Sequence, residues 1–556
     1  MASISNSVAG KFSINLVACA IEQSPMAYPL GALCILTALE SDVRTKDATN
    51  VSLSHYLADT HDPVMAAKAV AKTGSDLVGL SMYLYNRDWF NRFIPAFKQL
   101  CPDTIVYAGG PEAGAKAQEL LDMGLSFIVL GEGEETVSLA VSQLLAGQDP
   151  QGPGIQTNST ALAHAVYPLD LSTLASPLLT GTAIPSDYEG VLWEMTRGCP
   201  YHCAFCFESR GSRSVRTYPD ERIEAELELL IAHEVKHVFV LDPTFNMDRK
   251  RTVHMLTLLR DHSPSDMHFT FEVRAELLDK QTAQLFGQFH CSLQIGLQSC
   301  NAAVLNGIGR KFDPELFANK VALLNTHGVV FGLDLIIGLP GDTLESFRDS
   351  IDYAIGCKPS NLDIFLLALL PGTQLAEDAK ALHLVYQEES PYLLIGSPTM
   401  KSADIAVALR LKDACDQFYT QGQAVMWFHA ACSGLGFRPV ELLEAFSIYL
   451  EECPIEEDED IFAVQDRFIQ TLYHEKDKQD LLPALLSYME LHQGIAHLQE
   501  SGESPVVYLQ YDSDLLAQLD STSLADFSRT YPPSEEPHPY WIFVDDGILY
   551  VEKMEG

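Results

Sequence analysis

The sequence predicts an α/β protein with two parallel-sheet domains and a carboxyl-terminal extension of mixed helices and strands. Short apolar runs alternate with helix-length segments over 12–146 and again over 191–370, as in folds built from parallel strands and crossover helices. A stretch rich in proline and glycine at 148–154 separates the two series. A chain of 556 residues also exceeds what one core usually serves, so several domains are expected.

The first series predicts a doubly wound domain over 1–147, followed by a linker over 148–185. Helix-length segments such as 88–99 and 115–123 lie between its apolar runs. Five strands are expected, most of them nearly continuous in apolar residues as buried parallel strands are, at 12–21, 50–56, 76–82, 104–108 and 126–130.

The second series predicts a partial barrel of six βα units over 186–385. Its active site should lie at the carboxyl ends of the strands, where the loops converge. The extension over 386–556 should contain helices and a hairpin whose turn is formed by Asp546 and Gly547. The barrel strands are expected at 191–196, 237–241, 268–273, 292–297, 329–337 and 362–370.

Three cysteines stand close together immediately after the first barrel strand, in the run Thr-Arg-Gly-Cys-Pro-Tyr-His-Cys-Ala-Phe-Cys-Phe. Cys199, Cys203 and Cys206 have CxxxCxxC spacing. Three thiolates so close can hold three irons of a four-iron cluster and leave the fourth iron open for a ligand. A structural zinc site is the alternative, but it needs a fourth nearby ligand, for which His202 is the neighbouring candidate.

The charge of the chain argues against two classes of partner. Lys and Arg number 36 and Asp and Glu 75, which gives a formal charge of -39. Such a surface repels phosphate backbones and anionic lipid, so neither a nucleic acid nor a membrane is expected as a partner. The apolar stretch at 14–21 is too short for a signal peptide, and no run reaches the roughly 18 apolar residues of a membrane span. A cytoplasmic protein is therefore expected.

These residues resemble the radical S-adenosylmethionine (SAM) superfamily, in particular its cobalamin-dependent class. The resemblance implies a Rossmann-like cobalamin-binding domain ahead of a partial TIM-barrel radical SAM core. It also implies three cofactors, namely a [4Fe-4S] cluster, SAM and cobalamin. By the same resemblance, Cys199, Cys203 and Cys206 would bind the cluster, whose open iron chelates SAM, and Phe205 would pack beside adenine.

The resemblance further implies that five barrel residues contact SAM. Glu272 and Arg274 stand in the run Phe-Glu-Val-Arg, where an ordinary ion pair between them is the alternative. For Gln298 and Ser299 the alternative is capping of a strand end. Gly338 would let the backbone approach adenine closely. The segment 241–246, Leu-Asp-Pro-Thr-Phe-Asn, lies where the family usually has a Gly-Gly-Glu-like run. The five residues are Glu272, Arg274, Gln298, Ser299 and Gly338.

In the amino-terminal domain, the loops after the third, fourth and fifth strands would hold cobalamin, with tight turns in a ligand-free domain as the alternative. The loop after the first strand, at 22–31, lacks the histidine that coordinates the metal in many cobalamin domains. His61 follows the second strand and is expected to be a surface residue, so the lower face of cobalamin would lack a histidine ligand. The residues assigned to cobalamin are Ser81, Tyr83, Gly109, Gly110, Gly131, Glu132 and Gly133.

The function implied by the resemblance is reductive cleavage of SAM to a 5'-deoxyadenosyl radical, followed by modification of an unactivated carbon of a small or medium-sized metabolite. Methylation is the first expectation. The alternatives are a radical cyclisation, rearrangement or oxidation with cobalamin as redox partner, and a cobalamin- or iron-sulfur-binding sensor without turnover. An electron donor such as flavodoxin or ferredoxin is an expected partner. No pattern in the sequence names the substrate.

Overall fold

The computed structural model describes residues 10–159, 164–167, 170–208, 211–212, 214–456, 459–545 and 547–554. The chain divides into two compact units. The first contains Met1–Leu293, Ile308–Arg310 and Ala368–Leu394, and the second contains Gln294–Gly307, Lys311–Leu367 and Ile395–Gly556. Among the described residues, no helix combines the length and the apolar character needed to cross a membrane.

A doubly wound sheet forms the amino-terminal part of the first unit. Its strands are β1 (Phe12–Ala20), β2 (Thr49–Leu57), β3 (Leu77–Ser81), β4 (Ile105–Gly109), β5 (Phe127–Val129) and β6 (Ile155–Gln156). Its helices are α1 (Leu30–Ser41), α2 (Pro63–Ala71), α3 (Arg87–Leu100), α4 (Pro111–Ala115), α5 (Ala117–Asp122) and α6 (Gly133–Leu145). The strand order is β2-β1-β3-β4-β5-β6; the first five strands are parallel, and β6 is antiparallel to β5. All five predicted strands are present.

Alternate residues of β1 enter two different cores, because successive side chains of a strand point to opposite faces of the sheet. Val17 packs on the face that also buries Phe93 of α3. Leu16 packs on the other face, against Leu36 of α1 and Val137 of α6. The strand order switches at β1, because β2 lies on one side of it and β3 on the other. Ligands of such sheets bind at this switch point, beyond the carboxyl ends of the strands.

The second sheet is open and follows the chain order β7-β10-β11-β12-β13-β14, as predicted for a partial barrel. Strand β12 begins in the first unit and ends in the second. Two short strands, β8 and β9, form a separate antiparallel pair. The strands are β7 (Val191–Trp193), β8 (Thr196–Arg197), β9 (Arg216–Thr217), β10 (His237–Val240), β11 (His268–Val273), β12 (Cys291–Gln298), β13 (Val330–Ile337) and β14 (Asn361–Leu366).

Side-chain caps fix where the barrel helices begin. The carboxylate of Asp248 accepts the backbone N–H of Arg251, and the carboxylate of Asp313 accepts that of Leu316. These bonds satisfy donors that the first turn of a helix otherwise leaves unpaired. The helices are α7 (Asp220–Ala232), α8 (Arg249–His262), α9 (Lys280–Phe286), α10 (Ala302–Gly307), α11 (Pro314–Thr326), α12 (Leu344–Gly356) and α13 (Gln374–Asp378).

The carboxyl-terminal extension is mixed, as predicted. The register pairs Asp545 with Ile548, which confirms the hairpin; Gly547 has φ 75°, and Asp546 lies outside the described residues. Its strands are β15 (Val385–Tyr386), β16 (Leu394–Gly396), β17 (Val506–Leu509), β18 (His538–Asp545) and β19 (Ile548–Lys553). Its helices are α14 (Ser402–Cys415), α15 (Phe428–Leu435), α16 (Pro439–Glu452), α17 (Ile461–Glu475), α18 (Leu482–Ser501), α19 (Ser513–Leu516) and α20 (Leu524–Thr530).

Candidate active site

A cavity of about 820 Å³ lies within the first unit, at the carboxyl ends of β1, β3, β4 and β5. Residues of α1, α6, the segment 164–167 and the cysteine loop complete its walls. This volume falls within the range of pockets that enclose organic ligands. Its position is the one at which doubly wound sheets bind ligands.

The cavity lining includes all seven residues that the sequence assigned to cobalamin. Gly110 has φ +107°, and a Cβ atom there would stand 2.3 Å from the carbonyl oxygen of Met82. Gly131 has φ +84°, and its Cβ would stand 2.4 Å from the carbonyl oxygen of Val166. Both loops therefore require glycine to fold this closely around the strand ends.

One part of the cavity is an apolar slot between the sheet and two helices. Gly79 of β3 also lines the slot, and a Cβ there would stand 2.5 Å from the ring of Tyr107. This lining suits a ligand with an apolar end, so the residues present fit the nucleotide tail of cobalamin. The apolar lining of the slot consists of Leu16, Ala18, Ile35, Val129 and Val137.

The cysteine loop is closed at its base by the pairing of β8 with β9, which sets Arg197 opposite Arg216. The backbone N–H of Cys199 donates to the carbonyl of Ser212 at 3.2 Å, and that of Cys206 donates to Cys203 at 3.0 Å. Cys203 is buried, whereas Cys199 and Cys206 are partly exposed. The loop thus holds its three thiols on an ordered backbone.

Two further segments of the first unit hold the middle of the loop. The N–H of Ala204 donates to the carbonyl of Ile308 at 3.0 Å, and the N–H of Leu375 donates to the carbonyl of Ala204 at 2.9 Å. A Cβ on Gly309 would stand 2.7 Å from the carbonyl oxygen of His202. Three thiol donors on a loop held from both sides fit the donor set of a [4Fe-4S] cluster.

The zinc alternative gains no support from the structure. In the described part of the chain, no three or more His, Cys, Asp or Glu side chains are grouped so that they could hold one metal ion. His202 is exposed. In a cluster each cysteine binds a different iron, so its thiolates stand farther apart than the ligands of a single ion.

Asp242, two residues after the end of β10, holds the base of the cysteine loop. Its carboxylate accepts the backbone N–H of Met195 at 2.8 Å and that of Thr196 at 2.9 Å, and its side chain is only 1% exposed. Burial raises the pKa of Asp242 to about 6, even though these hydrogen bonds favour the carboxylate. This residue belongs to the segment where the family has its Gly-Gly-Glu-like run, and here its side chain supports the cysteine loop.

We expect Asp242→Ala to lower the iron content of anaerobically reconstituted protein several-fold, whereas Asp242→Asn retains most of it. Alanine leaves two buried N–H donors without an acceptor, at about 1–3 kcal/mol each, and the base of the loop loosens. Asparagine keeps an oxygen that can accept both bonds. Iron and sulfide analysis, with thermal unfolding as a check on folding, measures the effect. Equal iron content in Asp242→Ala and wild type would contradict this role.

Arg274 also supports the cysteine loop. Its guanidinium lies 3.7 Å from the ring centroid of Tyr201, and it pairs with Glu276 at 3.2 Å. Within the described residues no ion pair joins Arg274 to Glu272, so the simple-pair alternative does not form. Burial raises the pKa of Glu272. Phe205 lies half-buried in the loop itself.

The other residues assigned to SAM, Gln298, Ser299 and Gly338, lie in the second unit and have different local structures. The hydroxyl of Ser299, 1% exposed, accepts the N–H of Asn301 at 3.1 Å, which favours capping. Gln298 has φ 70°, and its buried Oε1 has no hydrogen-bond partner among the described residues. Gly338 follows β13 with φ 87°. A strained backbone and an unsatisfied buried oxygen suit a residue that contacts a ligand.

Six charged residues form a charged wall on one side of the cavity. Arg197 pairs with Glu132 at 3.1 Å, with Glu134 at 2.9 Å and with Glu194 at 2.8 Å. Arg216 pairs with Glu132 at 2.6 Å, so the carboxylate of this predicted cobalamin residue is occupied by two arginines. Burial, followed by the nearby Glu194 and Glu132, raises the pKa of Glu208. The wall consists of Glu132, Glu134, Glu194, Arg197, Glu208 and Arg216.

Apart from Glu132, sequence reasoning missed the residues of this wall, and it also missed one cavity-lining histidine. His61 is exposed, as expected, and it is not part of the cavity lining. His55 of β2 does line the cavity, and burial lowers its pKa. His55 lies two residues before the carboxyl end of its strand. This position could have indicated that His55 lines the site, because the ends of parallel strands border it.

Two family models match the chain. The Radical SAM superfamily model matches residues 193–354, and the B12 binding domain model matches residues 24–141. The chain contains a radical SAM domain. A B12-binding domain precedes its radical SAM domain, which confirms the class recognised from the cysteine motif.

A curated relative of this radical SAM chain is the cobalamin-dependent radical SAM methyltransferase TokK of Streptomyces tokunonensis, 25% identical over 414 residues. That match covers 67% of this chain and 60% of the relative.

Two solved structures share the fold. The radical SAM methyltransferase TsrM from Kitasatospora setae, with cobalamin and a [4Fe-4S] cluster bound, has a TM-score of 0.57 at 18% identity, covering 70% of this chain and 82% of that chain. The cobalamin-dependent SAM radical enzyme OxsB, with aqua-cobalamin bound, has a TM-score of 0.58 at 14% identity, covering 93% and 84%. The predicted fold class is confirmed. The cofactors bound in these neighbours belong to the set predicted from the sequence.

Proposed function

We propose that this chain is a cobalamin-dependent radical SAM enzyme that methylates an unactivated carbon of a small or medium-sized metabolite. The observation that carries the proposal is the presence, in one compact unit, of an ordered three-cysteine loop and a cavity of about 820 Å³ at the strand ends of a B12-binding domain. When bound, the cluster and SAM supply a 5'-deoxyadenosyl radical, and cobalamin supplies a transferable methyl group.

Cys199, Cys203 and Cys206 hold the cluster in this proposal, and other side chains keep their loop in place. Asp242 accepts two N–H groups at the base of the loop, and Arg274 stacks on Tyr201 within it. These contacts fix the loop before the cluster is inserted. The residues that the resemblance assigns to SAM keep that assignment, with Ser299 in a supporting position.

The loops after β3, β4 and β5 would hold cobalamin, and the apolar slot would accept its tail. The chain fastens two of these loops from outside the domain. The hydroxyl of Tyr392 donates to Glu112 at 2.6 Å, next to the loop after β4, and that of Ser390 donates to the carbonyl of Leu84 at 3.2 Å, after β3. Such fastening keeps the walls closed, and closed walls exclude water from a reactive intermediate.

The partners follow from the same proposal. The substrate is a small molecule, and an electron donor such as flavodoxin or ferredoxin supplies the reducing electron. A nucleic-acid substrate is disfavoured by the formal charge of -39.

Anaerobic reconstitution with iron, sulfide and hydroxocobalamin tests the proposal. Absorption spectra and metal analysis should give about four irons and one cobalamin per chain. With SAM, a strong reductant and a metabolite panel, 5'-deoxyadenosine together with S-adenosylhomocysteine supports methylation. Deoxyadenosine alone would point to another radical reaction. If neither product forms, the proposal is overturned in favour of a sensor.

A further inference from the structure

Glu208 lines the cavity; burial raises the pKa of its carboxyl, and the nearby Arg216 and Arg197 lower that pKa without forming an ion pair with it among the described residues. Within the described ranges, no hydrogen bond or ion pair reaches this side chain. Arg197 and Arg216, the cations of the charged wall, are already paired with Glu132, and Arg197 is paired with Glu134 and Glu194 as well. The described part of the wall contains two more carboxylates than guanidinium groups. A bound cation would relieve this excess of negative charge.

An aromatic ring lies beside that carboxylate. A Cβ on Gly211 would stand 3.9 Å from Cε1 of Tyr167 and 4.0 Å from Oε2 of Glu208, so the ring and the carboxylate approach the same point. The bridge between Gly131 and Val166 places Tyr167 in the cavity lining. A carboxylate and an aromatic ring that approach one point favour an ammonium group there, because the ring can attract the cation while the carboxylate neutralises it.

A third observation is an unsatisfied buried hydroxyl in the cavity lining. Tyr28 is only 4% exposed and lines the same cavity, and its hydroxyl has no hydrogen-bond partner among the described residues. A buried hydroxyl that is left unsatisfied costs free energy, and a ligand in the cavity would supply its partner.

We propose that the metabolite modified by this chain carries a protonated amine or another organic cation, which binds between Glu208 and Tyr167. This inference rests on the proposed function, since the metabolite must share the cavity with cobalamin. A phosphate or carboxylate substrate fits poorly, because it would meet the unpaired carboxylate while both guanidinium groups of the wall are already engaged. Glu208 acts here as a binding residue.

The test compares two probes of the same shape and different charge. Choline is cationic, and 3,3-dimethyl-1-butanol is its uncharged isostere. With the anaerobic, cofactor-loaded protein, calorimetry should show choline binding roughly tenfold more tightly than the alcohol. Glu208→Gln should abolish this preference, and Tyr167→Leu should weaken it. Glu224→Gln, which removes an exposed carboxylate of α7 outside the cavity, is the matched control and should keep the preference.

The arms of the experiment separate the possible failures. If the wild-type protein does not prefer choline to the alcohol, or does not bind choline, the inference is overturned. If the preparation contains neither cluster nor cobalamin, the proposed function is overturned. If saturating SAM displaces choline and Glu208→Gln weakens SAM binding, the cation is the ammonium group of SAM, and the metabolite assignment falls. Should Glu208→Gln fail to load cofactors, Tyr167→Leu decides the question.

Discussion

Cys203→Ala is expected to abolish cluster binding and, with it, the cleavage of SAM. Cys203 is the buried member of the triad, at 9% exposure, and its carbonyl also accepts the N–H of Cys206. Alanine removes a thiolate ligand and leaves only two on the loop. The loss in iron affinity should exceed the roughly 10- to 100-fold that removal of an outer-shell partner costs. Iron and sulfide analysis, the visible absorbance of the cluster and deoxyadenosine formation measure the effect.

The matched control is Cys291→Ala. Cys291 belongs to the same compact unit and is 6% exposed, and among the described residues its thiol donates only to the carbonyl of Phe286, at 3.3 Å. This variant loses a buried sulfur of the same size, so it reports any general cost of removing a core thiol. It should retain its iron. Full iron content in Cys203→Ala, or equal loss in both variants, would contradict the assignment of the cluster to the triad.

The fold could be predicted because its signals are local in the sequence. Each buried parallel strand appears as a short apolar run, and all eleven predicted strands of the two sheets are present. The cysteine loop was equally visible, since its three thiols stand within one short motif. The glycines at 110 and 131 could be located because turns at the ends of parallel strands often need positive φ.

The charged wall and the Asp242 support could not be predicted, because their partners are distant in the chain. Arg197 and Glu132 are 65 positions apart, Arg216 and Glu132 are 84 apart, and Asp242 is 47 residues from Met195. No periodic pattern links such residues. Glu132 shows the consequence. The sequence placed it correctly at the strand ends, but the two arginines that occupy its carboxylate emerge only from the tertiary structure.

Ala18→Phe is expected to reduce cobalamin content at least about tenfold while iron content stays close to that of wild type. Ala18 lies on β1 and lines the apolar slot, so a phenyl ring would fill the space that the cobalamin tail needs. Close-packed interiors cannot accommodate the ring and the tail together. The substitution leaves Cys199, Cys203 and Cys206 and the hydrogen bonds of their loop unchanged, so cluster binding should persist. Cobalamin absorbance after gel filtration, with iron analysis on the same sample, measures both.

Ala146→Phe provides the matched control, because it makes the same change at an exposed residue after α6 in the same domain. It should bind cobalamin as wild type does. Thermal unfolding distinguishes a blocked slot from a damaged domain, since Ala18→Phe should still unfold cooperatively. Normal cobalamin content in Ala18→Phe would place the cofactor outside the slot. The loops after β3, β4 and β5 would then need another ligand to explain why their residues converge on one cavity.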